Sequence, residues 1–238
     1  MLERYFGYKP PIPEDLRNQY ETALHGVERW KNGNWADNIK ETDWDHVIGM
    51  FSVLSDIKKA CPTLSFEVDI PTVEHMIYIH DLGEIEAGDL THNRHDYHDV
   101  YDAWKRREQI SGKWIIRRNA KDRDIRIQAM EFFDRYSQKR DDDKEALLTD
   151  LIDKIQGSRF GFKNVFHGRR MIKAQREMQF NHTIELITKP TKPLLKLVSP
   201  STQVDLKKFL AEELERFSQY GYKKEATPYI RNLEAILQ

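Results

Sequence analysis

Apolar residues recur along this chain at the spacing of a helix and almost nowhere at the alternation of a strand, which narrows the fold to helices packed on helices. Residues 44–60 set Val47, Met50, Phe51, Leu54 and Ile57 on one stripe and stop at Cys61-Pro62. Residues 14–31 follow Pro11 and Pro13 and carry Leu16, Tyr20, Leu24 and Val27 in register. Residues 71–82 open on Pro71, a good first helical residue, and end before Gly83. Weaker helical patterns cover 96–110, 122–138, 142–156 and 168–180. Ser111–Ile116 reads as a short strand with no convincing partner. The predicted class is all-α.

The C-terminal part changes character where Lys189-Pro190, Lys192-Pro193 and Ser199-Pro200 fall close together. Prolines so spaced predict a linker or an extended strap over 187–202. Beyond it, Thr202 and Asp205 resemble a capping box, and Leu206, Phe209, Leu210, Leu214 and Phe217 form an apolar stripe. Thr227-Pro228 is expected to start a last short helix. A body over 1–183, with the strap and C-terminal helices of 184–238 packed on it, is the expected organisation, since so few residues bury little alone.

Charge and composition exclude several functions. The 238 residues hold 38 Lys+Arg against 39 Asp+Glu, a net charge of −1. No global field then draws the chain to nucleic acid or anionic lipid, and Lys105-Arg106-Arg107 and Arg117-Arg118 read as solvated faces. No apolar run is long enough for a membrane span, and Met1–Tyr5 does not open a signal peptide. Cys61 is the single cysteine, which excludes an intrachain disulfide and a cysteine-rich zinc site. The expected place is the cytoplasm.

Histidine is unevenly placed: six of the nine lie between positions 46 and 98. His80-Asp81 ends the apolar run Met76–Ile79, where an imidazole and a carboxylate can serve one divalent cation. His46 starts another helix, and Asp150 or Asp153 offers a late carboxylate between which helical periodicity does not choose.

His80-Asp81-Leu82-Gly83-Glu84 and Gly88-Asp89 complete the pattern HD-x-x-E-x-x-x-G-D. Here the chain resembles the HD superfamily of metal-dependent phosphohydrolases, whose order is H…HD…D, and within it the bacterial 5′-deoxynucleotidase branch. His46 precedes His80 by 34 residues, and Arg29-Trp30 lies where that branch tends to carry an Arg-Trp pair. Leu148–Gln156 is similar to the family's closing helix, an alignment that selects Asp153 over Asp150. The likeness covers about 25–160. Asp45-His46-Val47 departs from the Glu-His-Ser common in the family, a change expected to alter packing more than coordination.

The resemblance implies an HD-type helical bundle with a C-terminal helical extension, one divalent metal (Mn, Co, Ni, Fe or Mg) and the ligands His46, His80, Asp81 and Asp153. It assigns Glu84 to proton handling at the attacking water or the leaving oxygen. Arg29 is the implied phosphate clamp, Trp30 a wall of the nucleoside pocket, and Asp89 either a sugar contact or a turn cap. The implied reaction is release of phosphate from (deoxy)nucleoside 5′-monophosphates. The alternatives are an HD phosphodiesterase, a nucleoside-triphosphate hydrolase, or a non-catalytic domain that binds a nucleotide or partner. A nucleotide is thus the expected partner, with a homodimer left open. His92, His95 and His98 suggest either a second metal or a solvated surface, His75 a packed or partly exposed side chain, and His167–Arg170 a segment that closes over the pocket.

Overall fold

A computed structural model of the chain describes residues 14–29, 41–87, 98–166 and 173–237. The described residues are overwhelmingly helical, so the fold class is all-α, as the periodicity predicts. They divide into two compact units. One takes in the described part of 1–51 with 71–138, the other 52–70 with the described part of 139–238.

In the first unit, helix α1 (Glu14–Leu24) is followed by strand β1 (Glu28–Arg29), paired antiparallel with β2 (Glu41–Thr42). The helix expected to reach residue 31 therefore stops at Leu24, because Glu28 and Arg29 take their backbone partners from β2. Helix α2 (Asp43–Ala60) starts in this unit on a reciprocal cap. Thr42 Oγ1 accepts from the Asp45 amide at 3.1 Å, and Asp45 Oδ2 accepts from the Thr42 amide at 3.0 Å. Helix α3 (Ile70–Ile79) is buried continuously from Thr72, with Glu74 and His75 enclosed along with its apolar residues. Its Tyr78 packs on Trp44 and Phe51, with ring centroids 6.0 and 5.1 Å away.

A turn leads from α3 into the short α4 (Glu84–Ala87), after which α5 (His98–Asn119) and α6 (Arg123–Gln138) pack together. Ser111–Ile116 lies inside α5, not in a strand. Gly112 explains why: a Cβ there would stand 2.2 Å from the Phe133 ring on α6, so this residue is the close-approach point of two helices. Packing outweighs the local β-like pattern.

In the second unit, α7 (Lys144–Phe160) begins at Asp143, which accepts from the Ala146 amide at 3.0 Å. Next in the chain comes α8 (Lys173–Leu197), and it corrects the predicted strap, since it continues through Pro190 and Pro193. Ile187, Pro190, Thr191, Leu194 and Leu195 form one buried face, and burial of that face outweighs the missing amides. Helix α9 (Pro200–Phe217) is capped by Ser199 instead of Thr202, with Pro200 as its first residue. Glu67 accepts from the Ser199 amide, Ser199 Oγ and Thr202 Oγ1, each at 2.6 Å. Gly221, at φ 95°, takes the left-handed conformation that separates α9 from α10 (Lys223–Arg231). That helix starts ahead of Thr227-Pro228 and contains Pro228 in its interior. The short α11 (Leu233–Ile236) follows. Phe162, Phe180, Phe217 and Tyr222 make an aromatic core, with Phe162 stacked on Phe217 at 4.9 Å. No described helix is long and apolar enough to cross a membrane.

Candidate metal centre

The capping box that starts α2 sets His46 one position beyond its acidic member, on the first turn and fully buried. Val47, in place of a hydroxyl residue, is buried in the core, and Asp45 faces solvent at the cap. From the other side, α3 ends with the His80 amide donating to Met76 and tightens into a turn at Leu82. That turn brings Asp81 and Glu84 to the end of the helix, and the Glu84 amide donates to the Asp81 carbonyl at 2.9 Å. His46, His80, Asp81 and Glu84 are all buried.

The His46 and His80 rings lie 5.3 Å apart, and both imidazoles turn Nε2 toward Asp81 Oδ2, at 3.8 and 2.9 Å. His80 Nδ1 lies 2.8 Å from the carbonyl oxygen of Ile77, which can only accept, so Nδ1 carries a proton. The lone pair of Nε2 then faces a carboxylate oxygen, an arrangement that needs a proton or a cation between the two. Tyr136 meets the His80 ring edge-on at 5.4 Å and fixes its plane. Ligand oxygens of Asp43, Asp81 and Glu84 also fall within 4.8 Å of one another. Two imidazoles among buried carboxylates are a donor set that fits a divalent cation of the first transition series.

Arg29 lies in the same place. Its Nη1 donates to Asp81 Oδ2 at 2.8 Å and stands 3.6 Å from Asp43, while Nε is 3.7 Å from Glu41. The pairing of Arg29 with Glu41 across β1 and β2 sets that geometry. Burial acts to raise the Asp81 pKa, but His80, Arg29 and His46 hold the carboxyl well below its usual range. Glu41 and Asp43 were not singled out in the sequence. Two fully buried acids just before a buried histidine are their only signal, and one-dimensional spacing does not reveal burial.

The other expected residues divide into placed and undescribed ones. Asp153 is half-buried on α7 in the second unit, with Lys154 Nζ 2.6 Å away. Asp150 is buried and bound to Lys139, with Lys154 3.7 Å off, so its charge already has partners. His75 is buried against Phe132 at 5.0 Å, and burial pushes its pKa down to about 4. Trp30, Asp89, His92, His95 and the His167–Arg170 segment lie outside the described residues, as does the side chain of His98.

No curated protein sequence is significantly similar to the chain. The HD domain family model matches residues 28–192, well over half of the chain, and so runs past the expected limit near 160 into α8. With that match and a buried His/Asp cluster at its HD pair, the chain belongs to the HD-domain family, within the superfamily of metal-dependent phosphohydrolases.

Proposed function

We propose that the protein releases phosphate from nucleotides, acting on (deoxy)nucleoside 5′-monophosphates. The observation that carries this reading is the convergence of His46, His80 and Asp81, beside Glu84 and Arg29, at the end of α3. His46, His80 and Asp81 are the proposed metal ligands, and Asp153 is the fourth on the strength of the H…HD…D order. A bound divalent cation supplies charge screening for a phosphate dianion and a lowered pKa for water.

The side chains do the rest. Ile77, by accepting from Nδ1, keeps the His80 lone pair on Nε2, where a cation needs it. Glu84 takes a proton from the attacking water or gives one to the leaving sugar oxygen. Arg29, which stands against Glu41, Asp43 and Asp81, is proposed to exchange part of those contacts for phosphate oxygens when substrate enters. Trp30 and Asp89 are proposed to hold the base and the sugar, because of their place in the motif.

Phosphate release from a panel of deoxy- and ribonucleoside mono-, di- and triphosphates and cyclic nucleotides, with and without added Mn²⁺, Co²⁺ or Mg²⁺, tests the reading. Metal-dependent release from monophosphates, faster with the deoxy forms, is the expected result. Cleavage confined to triphosphates or cyclic nucleotides would keep the metal site and remove the substrate.

A further inference from the structure

Helix α5 lays one face over the turn that carries the HD pair. Its Glu108 is buried and passes so close to Gly83 that a Cβ there would meet the Glu108 carbonyl oxygen at 2.2 Å and Cγ at 2.7 Å. Trp104, one turn earlier, donates from Nε1 to the Ala87 carbonyl at 3.3 Å. Between them, Lys105 extends to Glu108 Oε2 at 2.6 Å, with its ammonium 4.8 Å from the centre of the Trp104 ring. The Lys105 side chain is 41% exposed while that of Glu108 is 10% exposed, so the pair joins a partly solvent-facing cation to a buried carboxylate. Glu84 lies near enough to act on the Lys105 charge, and Asp81 and His80 on that of Glu108. The acids around the HD turn outnumber its cations, and Arg29 is already shared among Glu41, Asp43 and Asp81. A phosphate dianion entering there needs a further positive group with free donors, and an ammonium has three.

We infer that Lys105 is an anion-binding residue of this site, holding a phosphate oxygen of the substrate, with Glu108 and Trp104 as the residues that position it. This rests on the phosphohydrolase reading for its substrate, but not for its test. Calorimetric titration of the Mn²⁺-loaded protein with inorganic phosphate is the measurement. Lys105→Met should weaken phosphate binding about tenfold or more, the loss expected for one charge-assisted hydrogen bond. Lys105→Arg should restore most of it, and bound Mn²⁺ should be the same in all three proteins. Equal phosphate affinity in wild type and Lys105→Met, or no phosphate binding by the metal-loaded wild type, would overturn the inference. Lys105-dependent phosphate binding in a protein that hydrolyses no nucleotide would uphold it and remove the nucleotidase reading instead.

Discussion

His80 Nδ1 lies 2.8 Å from the carbonyl oxygen of Ile77, one turn back on the same helix. Every consequence for the metal centre starts there, because that bond decides which nitrogen faces Asp81. It also presents the His80 lone pair as the proposed metal ligand. His80→Ala and Asp81→Ala should each lower metal content and phosphohydrolase activity together, measured by elemental analysis and phosphate release. A fully metallated His80→Ala protein would remove the assignment. Asp153→Ala should behave the same way. Asp150→Ala should keep its metal, since Asp150 is bound to Lys139.

Glu84 is the proposed proton carrier of the site, and in that role its removal should separate chemistry from metal binding. Glu84→Ala should cut kcat by about 10²–10⁴-fold, the range for loss of a general acid or base. Its metal content should stay at the wild-type level. A variant that loses metal and activity in proportion would make Glu84 a ligand.

Arg29 stands against three carboxylates, so its removal has two expected effects of opposite sign. Arg29→Ala should raise KM for a nucleoside monophosphate, as phosphate loses a cation. The same variant should bind Mn²⁺ as tightly as wild type or tighter, because Asp81 loses a competing positive partner. Weaker Mn²⁺ binding in Arg29→Ala would contradict this account.

Gly83 has no room for a methyl group beside the Glu108 backbone. Gly83→Ala should therefore destabilise the fold by about 2 kcal/mol or more, as overpacking against a fixed helix does. The midpoint of urea unfolding reads this directly. An unchanged midpoint would show that α5 can move away from the turn.

His75 gives a pH dependence with a definite sign. Its pKa is about 4 in the folded state against an ordinary 6.5, so between those values the unfolded chain takes up a proton that the folded one refuses. Stability should fall as the pH drops from 6.5 towards 4, by on the order of 3 kcal/mol from this residue. His75→Phe, which keeps a ring against Phe132, should flatten that part of the stability–pH curve. An equally steep curve in the variant would assign the slope to other groups.

The helices of this protein were legible in the sequence, since they depend on short-range spacing, whereas the H…HD…D order was read from the resemblance to the HD superfamily. The stripe of Val47, Met50, Phe51, Leu54 and Ile57 folds as the helix it predicts. The run from His80 to Glu84, with His46 ahead of it, carried the resemblance to the HD superfamily, and the HD domain family model matches residues 28–192. Tertiary structure decided whatever depends on burial. Local rules place a break at Pro190 and Pro193 and a strand at Ser111–Ile116, yet both segments are helical. A buried face in one case and the approach of Gly112 to Phe133 in the other stabilise more than the local preference costs. The company of Arg29 was equally hidden. Glu41 reaches it through a two-residue ladder and Asp81 from 52 positions away, and no periodicity records a contact made by folding. Spacing along a chain encodes local geometry, whereas the fields and contacts that make a site arise only when distant segments share one interior.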